Sequence, residues 1–89
     1  MKIVDVSAFY APRGGGVRTY VERKLTTGPA LGHEIVVIAP GKRSEVIERG
    51  TGARIRFVAA PQFPLDRTYR YFDDADALHR AIREERRNP

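Results

Sequence analysis

The chain carries three short apolar segments and two amphipathic ones, in an order typical of α/β proteins. Residues 2–8 and 33–39 are nearly continuous apolar runs rich in β-branched side chains, as expected for parallel strands that are covered on both faces. Residues 54–59 instead alternate apolar positions with mostly basic ones. This alternation predicts a third strand in a more exposed or edge position of the sheet.

Two further segments repeat apolar residues at helical spacing. The first helix is predicted from Val17 to about Thr27, and the following Gly28-Pro29 pair should kink or stop it, because proline lacks an N–H and clashes with the preceding turn. Gly32 is a natural left-handed terminator. The second helix is predicted over residues 73–87. The side chains expected to face a sheet are Val17, Tyr20, Val21 and Leu25 in the first helix, and Ala75, Leu78, Ala81 and Ile82 in the second.

Charge is segregated along the second predicted helix. Acidic residues occupy its first turn and basic residues its last, which complements the helix dipole and explains the acidic group more simply than a divalent-cation site. Residues 83–87 are expected to form a mostly solvated face. Outside these elements, residues 44–49 suggest a short helical turn and residues 61–72 an irregular loop. The acidic residues of the first turn of this helix are Asp73, Asp74 and Asp76, and the basic residues of its last turn are Arg83, Arg86 and Arg87.

The order of elements, β-α-β-β-α, predicts an open α/β sheet with right-handed crossovers. With 89 residues the chain makes at most one domain. We therefore expect a partial Rossmann-like three-layer domain with about three parallel strands and two main helices. Ligands of such sheets bind at the carboxyl ends of the strands, so the loops at 9–16, 40–44 and 60–72 should lie on the functional side.

The connection between the first strand and the first helix carries the most specific chemistry. It reads FYAPRGGGVRTY, with Gly14, Gly15 and Gly16 just before the helix. Glycines let another molecule approach the backbone closely, and the helix that follows points unpaired N–H groups and its positive dipole end at that turn. The stretch predicts a phosphate-binding turn, with a merely flexible turn as the alternative. It is not the dinucleotide fingerprint, because Thr19 stands at the third glycine position.

Charge and composition narrow the expected partners. The formal net charge is +5 and 13 of the 16 basic residues are Arg, a balance that attracts phosphates, nucleic acid or anionic lipid head groups. The chain contains no Cys, which fits a reducing compartment. No apolar run is long enough to span a bilayer, and the start of the chain does not read as a secretory signal. The expected location is the cytoplasm, with its membrane face as an alternative.

Taken with its flanks, the glycine stretch resembles the N-terminal domain of family 4 glycosyltransferases, which are retaining enzymes of the GT-B fold. The resemblance is carried by the FYAP sequence at 9–12, the glycine triplet, the Val and Tyr of 17–20, and the segment LGHEIVVIAP at 31–40. It is strongest over residues 1–41. It implies that residues 1–89 are a partial N-terminal domain without the C-terminal domain that grips the sugar nucleotide.

The resemblance also implies site residues and partners. A nucleotide-sugar donor and an acceptor glycan, lipid or small molecule would be the substrates. The sugar would be transferred with retention, and neither a metal nor a cofactor is expected. No catalytic residue is assigned to this chain, and the isolated chain is expected not to catalyse sugar transfer. The donor diphosphate would meet Gly14, Gly15, Gly16 and Arg18, and the acceptor-side candidates are Arg13, Arg67, Tyr69 and Arg70.

Other interpretations remain open at this point. Residues 67–72 interleave basic and aromatic side chains, as single-stranded nucleic-acid binders do, so a small basic nucleic-acid-binding module is the alternative function, although nucleic acid is the less favoured partner. The chain could also be a non-functional remnant of a longer gene. Three strands without neighbours leave an apolar sheet edge open, which permits self-association. His33 is expected to be structural.

Overall fold

The computed structural model describes residues 1–7 and 16–87, with backbone only at residues 16–20, 63 and 66–69. Strands and helices alternate in an α/β order with two antiparallel hairpins added. The elements are β1 (Lys2–Val6), α1 (Gly16–Ala30), β2 (Glu34–Gly41), β3 (Glu45–Glu48), β4 (Ala53–Ala59), β5 (Gln62–Phe63), β6 (Asp66–Arg70) and α2 (Ala75–Arg87).

The main sheet has four strands in the order β1-β2-β4-β3. Strands β1, β2 and β4 are parallel, with Val4 beside Val36 and Val36 beside Arg54. Strand β3 is antiparallel to β4. The predicted α/β class and the three parallel strands are therefore confirmed, and the β1-α1-β2 unit is a standard crossover between parallel neighbours.

The third predicted strand is not an edge strand, because β4 lies between β2 and β3. Its alternating Arg54 and Arg56 face the carboxylates of α2 instead of open solvent. The helical turn expected at 44–49 is also wrong, since these residues contain β3. The edge strand β3 leaves Val46 and Ile47 about half exposed, at 50% and 42%.

The segment expected to be an irregular loop contains a small hairpin, in which β5 pairs antiparallel with β6. The hairpin is tied to the end of β4 by two bonds. Arg70 Nη1 donates to the Ala60 carbonyl at 2.7 Å, and the Tyr71 amide donates to the Pro61 carbonyl at 3.2 Å. Sequence alone hid this hairpin because its strands are short and have no apolar alternation.

Helix α1 runs through Gly28-Pro29 and ends at Ala30, so it does not stop at this pair. Pro29 lies one residue before the end of the helix, so the proline disturbs only its last turn. The helix ends in a Schellman arrangement: the His33 amide donates to the Gly28 carbonyl and the Gly32 amide to the Pro29 carbonyl, both at 3.0 Å. Gly32 has φ +86, which confirms it as the left-handed terminator.

The sheet is covered on both faces, which makes three layers. On one face Val21 and Leu25 of α1 pack on alternate residues of the strands; on the other, Ala81 of α2 packs on Val36 and Ile38. Helix α2 begins two residues later than predicted, and Asp74 caps it, its Oδ1 accepting from the Ala77 amide at 3.0 Å. The predicted stripe of α2 holds except at its first member, Ala75, which is exposed.

Candidate functional site

The carboxyl ends of β1, β2 and β4 lie together at one edge of the sheet. The Ser7 amide donates to the Ile38 carbonyl and the Ala60 amide to the Gly41 carbonyl, both at 2.9 Å, so the parallel ladder continues just past the strands. The chain that leaves β1 after Ser7 returns as α1 at Gly16. This carboxyl edge is where an open parallel sheet binds its ligands, and it is the candidate site.

Backbone packing at this edge is close around Gly41. The glycine is buried, and a Cβ added to it would lie 2.8 Å from the Cβ of Phe57. Real Cβ atoms do not approach so closely, so a side chain here would push β2 away from β4. Gly41, the last residue of β2, therefore allows β2 and β4 to pack closely at the carboxyl edge.

Three polar residues follow Gly41 at the same edge. They belong to the 40–44 loop that the sequence analysis expects on the functional side, although none of them is among its candidate site residues. Ser44 Oγ accepts from the Ala59 amide at 3.2 Å, and Arg43 Nε pairs with Glu45 Oε2 at 3.0 Å. Lys42 is exposed. The sequence signal for these residues is the basic pair Lys42 and Arg43 directly after a buried parallel strand, because that position lies on the ligand side of the sheet.

The predicted donor-binding residues have different outcomes. Gly16 is the first residue of α1, so the helix begins where the glycine stretch ends. Arg18 lies in the first turn of α1, with only its backbone described. Arg13, Gly14 and Gly15 lie outside the described residues. The diphosphate role of these residues therefore stays a prediction.

The acceptor-side candidates lie on the hairpin. Arg67, Tyr69 and Arg70 all belong to β6, which follows β4 at the carboxyl edge. The half-buried Arg70 guanidinium bonds the Ala60 carbonyl, so one part of it anchors the hairpin to the edge. For Arg67 and Tyr69 the structure describes the backbone alone.

One ion pair connects the strand before the glycine stretch to the helix after it. Lys24 Nζ lies 2.7 Å from Asp5 Oδ2, and both side chains are about one-third exposed or less. The odd acidic residue of the first strand is thus explained by a contact with α1. Pairs of this exposure contribute little to stability, but this one helps fix how α1 lies against β1.

A second group of charges lies between the sheet and α2. Glu85 is only 2% exposed and receives hydrogen bonds from Arg54 and Arg56, the second at 3.2 Å. Lys2 Nζ is 3.5 Å from the same carboxylate, and Arg54 also bonds Glu34 at 2.8 Å. Sequence analysis placed Glu85 on a solvated face, which is wrong. We call Lys2, Arg54, Arg56, Glu84 and Glu85 the α2 ion-pair cluster.

Electrostatics keep this cluster charged. Burial alone would raise the pKa of Glu85, but the hydrogen bonds from Arg54 and Arg56 outweigh it and hold that pKa below its ordinary value. The hydrogen bond to Glu85 in turn raises the pKa of Arg54. Because every member is paired, the cluster orients α2 on the sheet and is not a binding site.

The opposite, amino edge of the sheet holds a shallow depression of about 460 Å³ lined in part by Gly32, His33 and Thr51. His33 Nδ1 is buried there without a hydrogen-bond partner. This places His33 across the sheet from the candidate site. Among residues 1–7 and 16–87, no group of three or more acidic or histidine side chains could hold a metal ion, and no helix is long and apolar enough to cross a membrane.

Comparisons with known proteins bear on the function of the carboxyl edge. Curated relatives include a GDP-mannose-dependent alpha-(1-6)-phosphatidylinositol dimannoside mannosyltransferase of Mycobacterium tuberculosis, in strains ATCC 25177 / H37Ra and CDC 1551 / Oshkosh. Each is 40% identical over 70 residues, which is 79% of this chain. Over most of its length, the chain is therefore similar to part of a mannosyltransferase. It spans 18% of the length of these relatives. No protein-family model matches the chain, and no solved structure matches it significantly.

Proposed function

We propose that this chain is the acceptor-side, N-terminal part of a retaining GT-B glycosyltransferase that transfers mannose from GDP-mannose. The observation that carries the proposal is the 40% identity with the mannosyltransferases over 79% of the chain. The parallel sheet supports it, because its carboxyl edge gathers the end of β1, the start of α1 and the β5–β6 hairpin. A lipid of the phosphatidylinositol mannoside type is the acceptor we favour, from the name of the same relatives.

In this proposal, the amides of Gly14, Gly15 and Gly16 bind the donor diphosphate at the start of α1. Hydrogen-bond donors and a helix dipole at that point stabilise the negative charge that develops as the diphosphate leaves. Arg18, in the first turn of the helix, adds positive charge. The role of this chain is therefore electrostatic, and the isolated segment binds donor without turning it over.

The acceptor lies on the hairpin side of the same edge. Arg70 is held there by the bond that its Nη1 donates to the Ala60 carbonyl. Arg67 and Tyr69 share the β6 strand with it. Arg13, which directly precedes the glycine stretch in the sequence, completes the proposed set. Arginine and tyrosine suit an acceptor that carries both phosphate and sugar rings.

The test is titration of the isotope-labelled chain with GDP-mannose, followed by amide NMR shifts. We expect shifts concentrated at residues 14–18, and their loss in Gly15→Val, because a branched side chain blocks the close approach of a diphosphate. Ala30→Val is the matched control, since it adds the same kind of bulk at an exposed position of α1. Unchanged binding by Gly15→Val would contradict the proposal.

The same titration with a single-stranded oligonucleotide tests the alternative function. A nucleic-acid module would bind it with an affinity that falls steeply with salt, and would show shifts over residues 67–72. We expect no such response. Transfer of labelled mannose by the purified chain would contradict the inactivity of the isolated segment.

A further inference from the structure

The outer side of β3 is an open edge of the main sheet. Among the residues that the structure describes, the sheet order ends at β3, and no strand pairs with its far side. Val46 and Ile47 form the middle of this strand, and both are about half exposed. Its charged residues, Glu45 and Glu48, stand only at its two ends. An edge strand with exposed apolar residues is a template for pairing with a further strand.

Only alternate residues of β3 offer their backbone groups to such a strand. The Arg49 amide donates to the Ala53 carbonyl at 2.9 Å, and the register with β4 continues without a bulge through the rest of β3. Hydrogen-bonded and non-hydrogen-bonded positions alternate in an antiparallel pair, so the backbone groups of Ile47 are bonded to β4. The amides and carbonyls of Val46 and Glu48 therefore point away from the sheet.

We propose that β3 pairs antiparallel with β3 of a second copy of this chain, about a two-fold axis that passes beside Ile47. In this register Val46 exchanges two backbone hydrogen bonds with Glu48 of the second copy, and Glu48 does the same with its Val46. The outward backbone groups of both residues are then satisfied in both copies. A two-fold contact is self-complementary and closes at a dimer.

Charge selects this register over the two neighbouring registers that the backbone also allows. Glu45 begins β3 and Arg49 directly follows it, so antiparallel pairing about Ile47 brings each beside its opposite charge in the second copy. Pairing about Val46 would instead bring Arg49 beside Arg43 of the second copy. Pairing about the last residue of β3 would place two glutamates opposite each other. Like charges directly opposite destabilise a sheet, whereas opposite charges stabilise it.

The apolar and ionic contacts of this pairing lie on the α1 face of the sheet. The register with β4 puts Ile47 on the same face as Ile55, which belongs to the apolar core under α1. Arg49 is held on this face by its bonds to Glu22 of α1. The two Ile47 side chains meet at a non-hydrogen-bonded position, where opposite side chains lie closest, and a pair of Glu45 with Arg49 flanks them on each side.

The pairing leaves the candidate site open in both copies. Strand β3 is separated from β1 by β4 and β2, so the start of α1 is remote from the contact. Because the two β3 strands run antiparallel, the carboxyl edges of the two copies face opposite directions. The proposal therefore does not rest on the proposed function, and GDP-mannose binding should be unchanged by the variants that break the pairing.

Single cysteines test the register, because the chain contains no Cys of its own. The full-chain variants V46C, I47C and E48C change three neighbouring exposed positions of β3. Glutathione disulfide is the oxidant, and it is reduced to two thiols as one S–S bond forms between two chains. We expect I47C to form the linked dimer about tenfold faster than the others, because only position 47 faces itself, whereas positions 46 and 48 meet their own copies diagonally at about 7 Å.

Sedimentation equilibrium of the chain without cysteines measures the pairing itself, at concentrations up to about 1 mM, since so small a contact belongs to the weak class. Glu48→Pro should raise the dissociation constant about thirtyfold, at about fivefold for each of the two backbone bonds that it removes. Its amide points away from β4, so the proline leaves the pairing of β3 with β4 intact. Glu48→Ala is the matched control, because it removes the same side chain and keeps the amide. Circular dichroism and the thermal midpoint check that both variants fold.

Each outcome decides the inference. The mass of one chain at every concentration would overturn it, and a mass that rises past two chains would overturn the closed two-fold contact. Equal weakening by Glu48→Pro and Glu48→Ala would overturn the backbone pairing. Faster linking of V46C or E48C than of I47C would overturn the register. The titration with GDP-mannose is a separate measurement, so failure here leaves the proposed function standing.

Discussion

The two faces of the sheet are held by different chemistry. On the α1 side, Val21 and Leu25 pack on a dry apolar surface, and Gly28 lets the helix approach Ile35 closely. On the α2 side, a smaller apolar group is joined by the α2 ion-pair cluster around Glu85. The α1 side therefore depends mainly on shape, with one partly exposed ion pair between Lys24 and Asp5, whereas the α2 side depends on charge and should respond to pH.

The largest effect should come from removing the centre of the cluster. Glu85→Ala removes the carboxylate that Arg54 and Arg56 share but leaves each with one other partner, Glu34 and Glu84 respectively. We therefore expect a loss of about 3 kcal/mol, the lower end of the range for a broken buried pair. In a domain of this size that approaches the whole free energy of unfolding. Urea denaturation followed by circular dichroism measures it. The neighbouring Glu84→Ala is the control, because the Glu84 side chain is 46% exposed and should cost less than about 1 kcal/mol.

Equal losses from Glu84→Ala and Glu85→Ala would show that burial does not distinguish the two carboxylates. In that case the α2 side would be no more charge-dependent than an ordinary surface.

On the α1 side, Gly28→Ala should destabilise the chain by about 2 kcal/mol. The new Cβ would lie 2.3 Å from Ile35 Cγ1, and overpacking of this kind outweighs the gain of about 1 kcal/mol in helix propensity. Thermal unfolding measures the change. Thr27→Ala, at the exposed position before it, should be nearly neutral. In the double variant Gly28→Ala/Ile35→Ala, the two losses of stability should not add, because shortening the Ile35 side chain relieves the clash. Additive losses would contradict the clash.

Acid should weaken the α2 side first, by less than either substitution. The folded pKa of Glu85 lies below its ordinary value of 4.5, so its stabilisation is complete above that value and is lost as the pH falls through the folded pKa. Unfolding free energies measured from neutral pH downward should decline more steeply in the wild-type chain than in Glu85→Gln. Parallel curves would show that other carboxylates carry the acid response.

The parts of the fold that sequence predicts are those with an unbroken local pattern. Strands β1 and β2 and helix α1 follow from apolar runs and helical spacing. The position of β4 does not, because Arg54 and Arg56 look solvent-facing until their partners appear 31 and 29 residues further along the chain. Strand β3 and the β5–β6 hairpin depend on pairing with neighbours, which a single short segment does not encode.

The candidate site also has features that the sequence predicts and features that it does not. Its location at the carboxyl edge follows from the order of elements. The spacing of apolar residues predicts a helix from Val17, one residue after its observed start at Gly16. The tight Gly41 contact and the Ala60 anchor of Arg70 could not be predicted, because each joins residues from different strands or loops.

The placement of α1 and α2 on opposite faces has a topological consequence. Right-handed connections made on opposite faces travel in opposite directions across a sheet. Helix α1 carries the chain from β1 towards β2, so any strand that followed α2 would be added on the far side of β1. The winding would then reverse at β1 and open a crevice at the carboxyl end of that strand, where the chain leaves the sheet after Ser7.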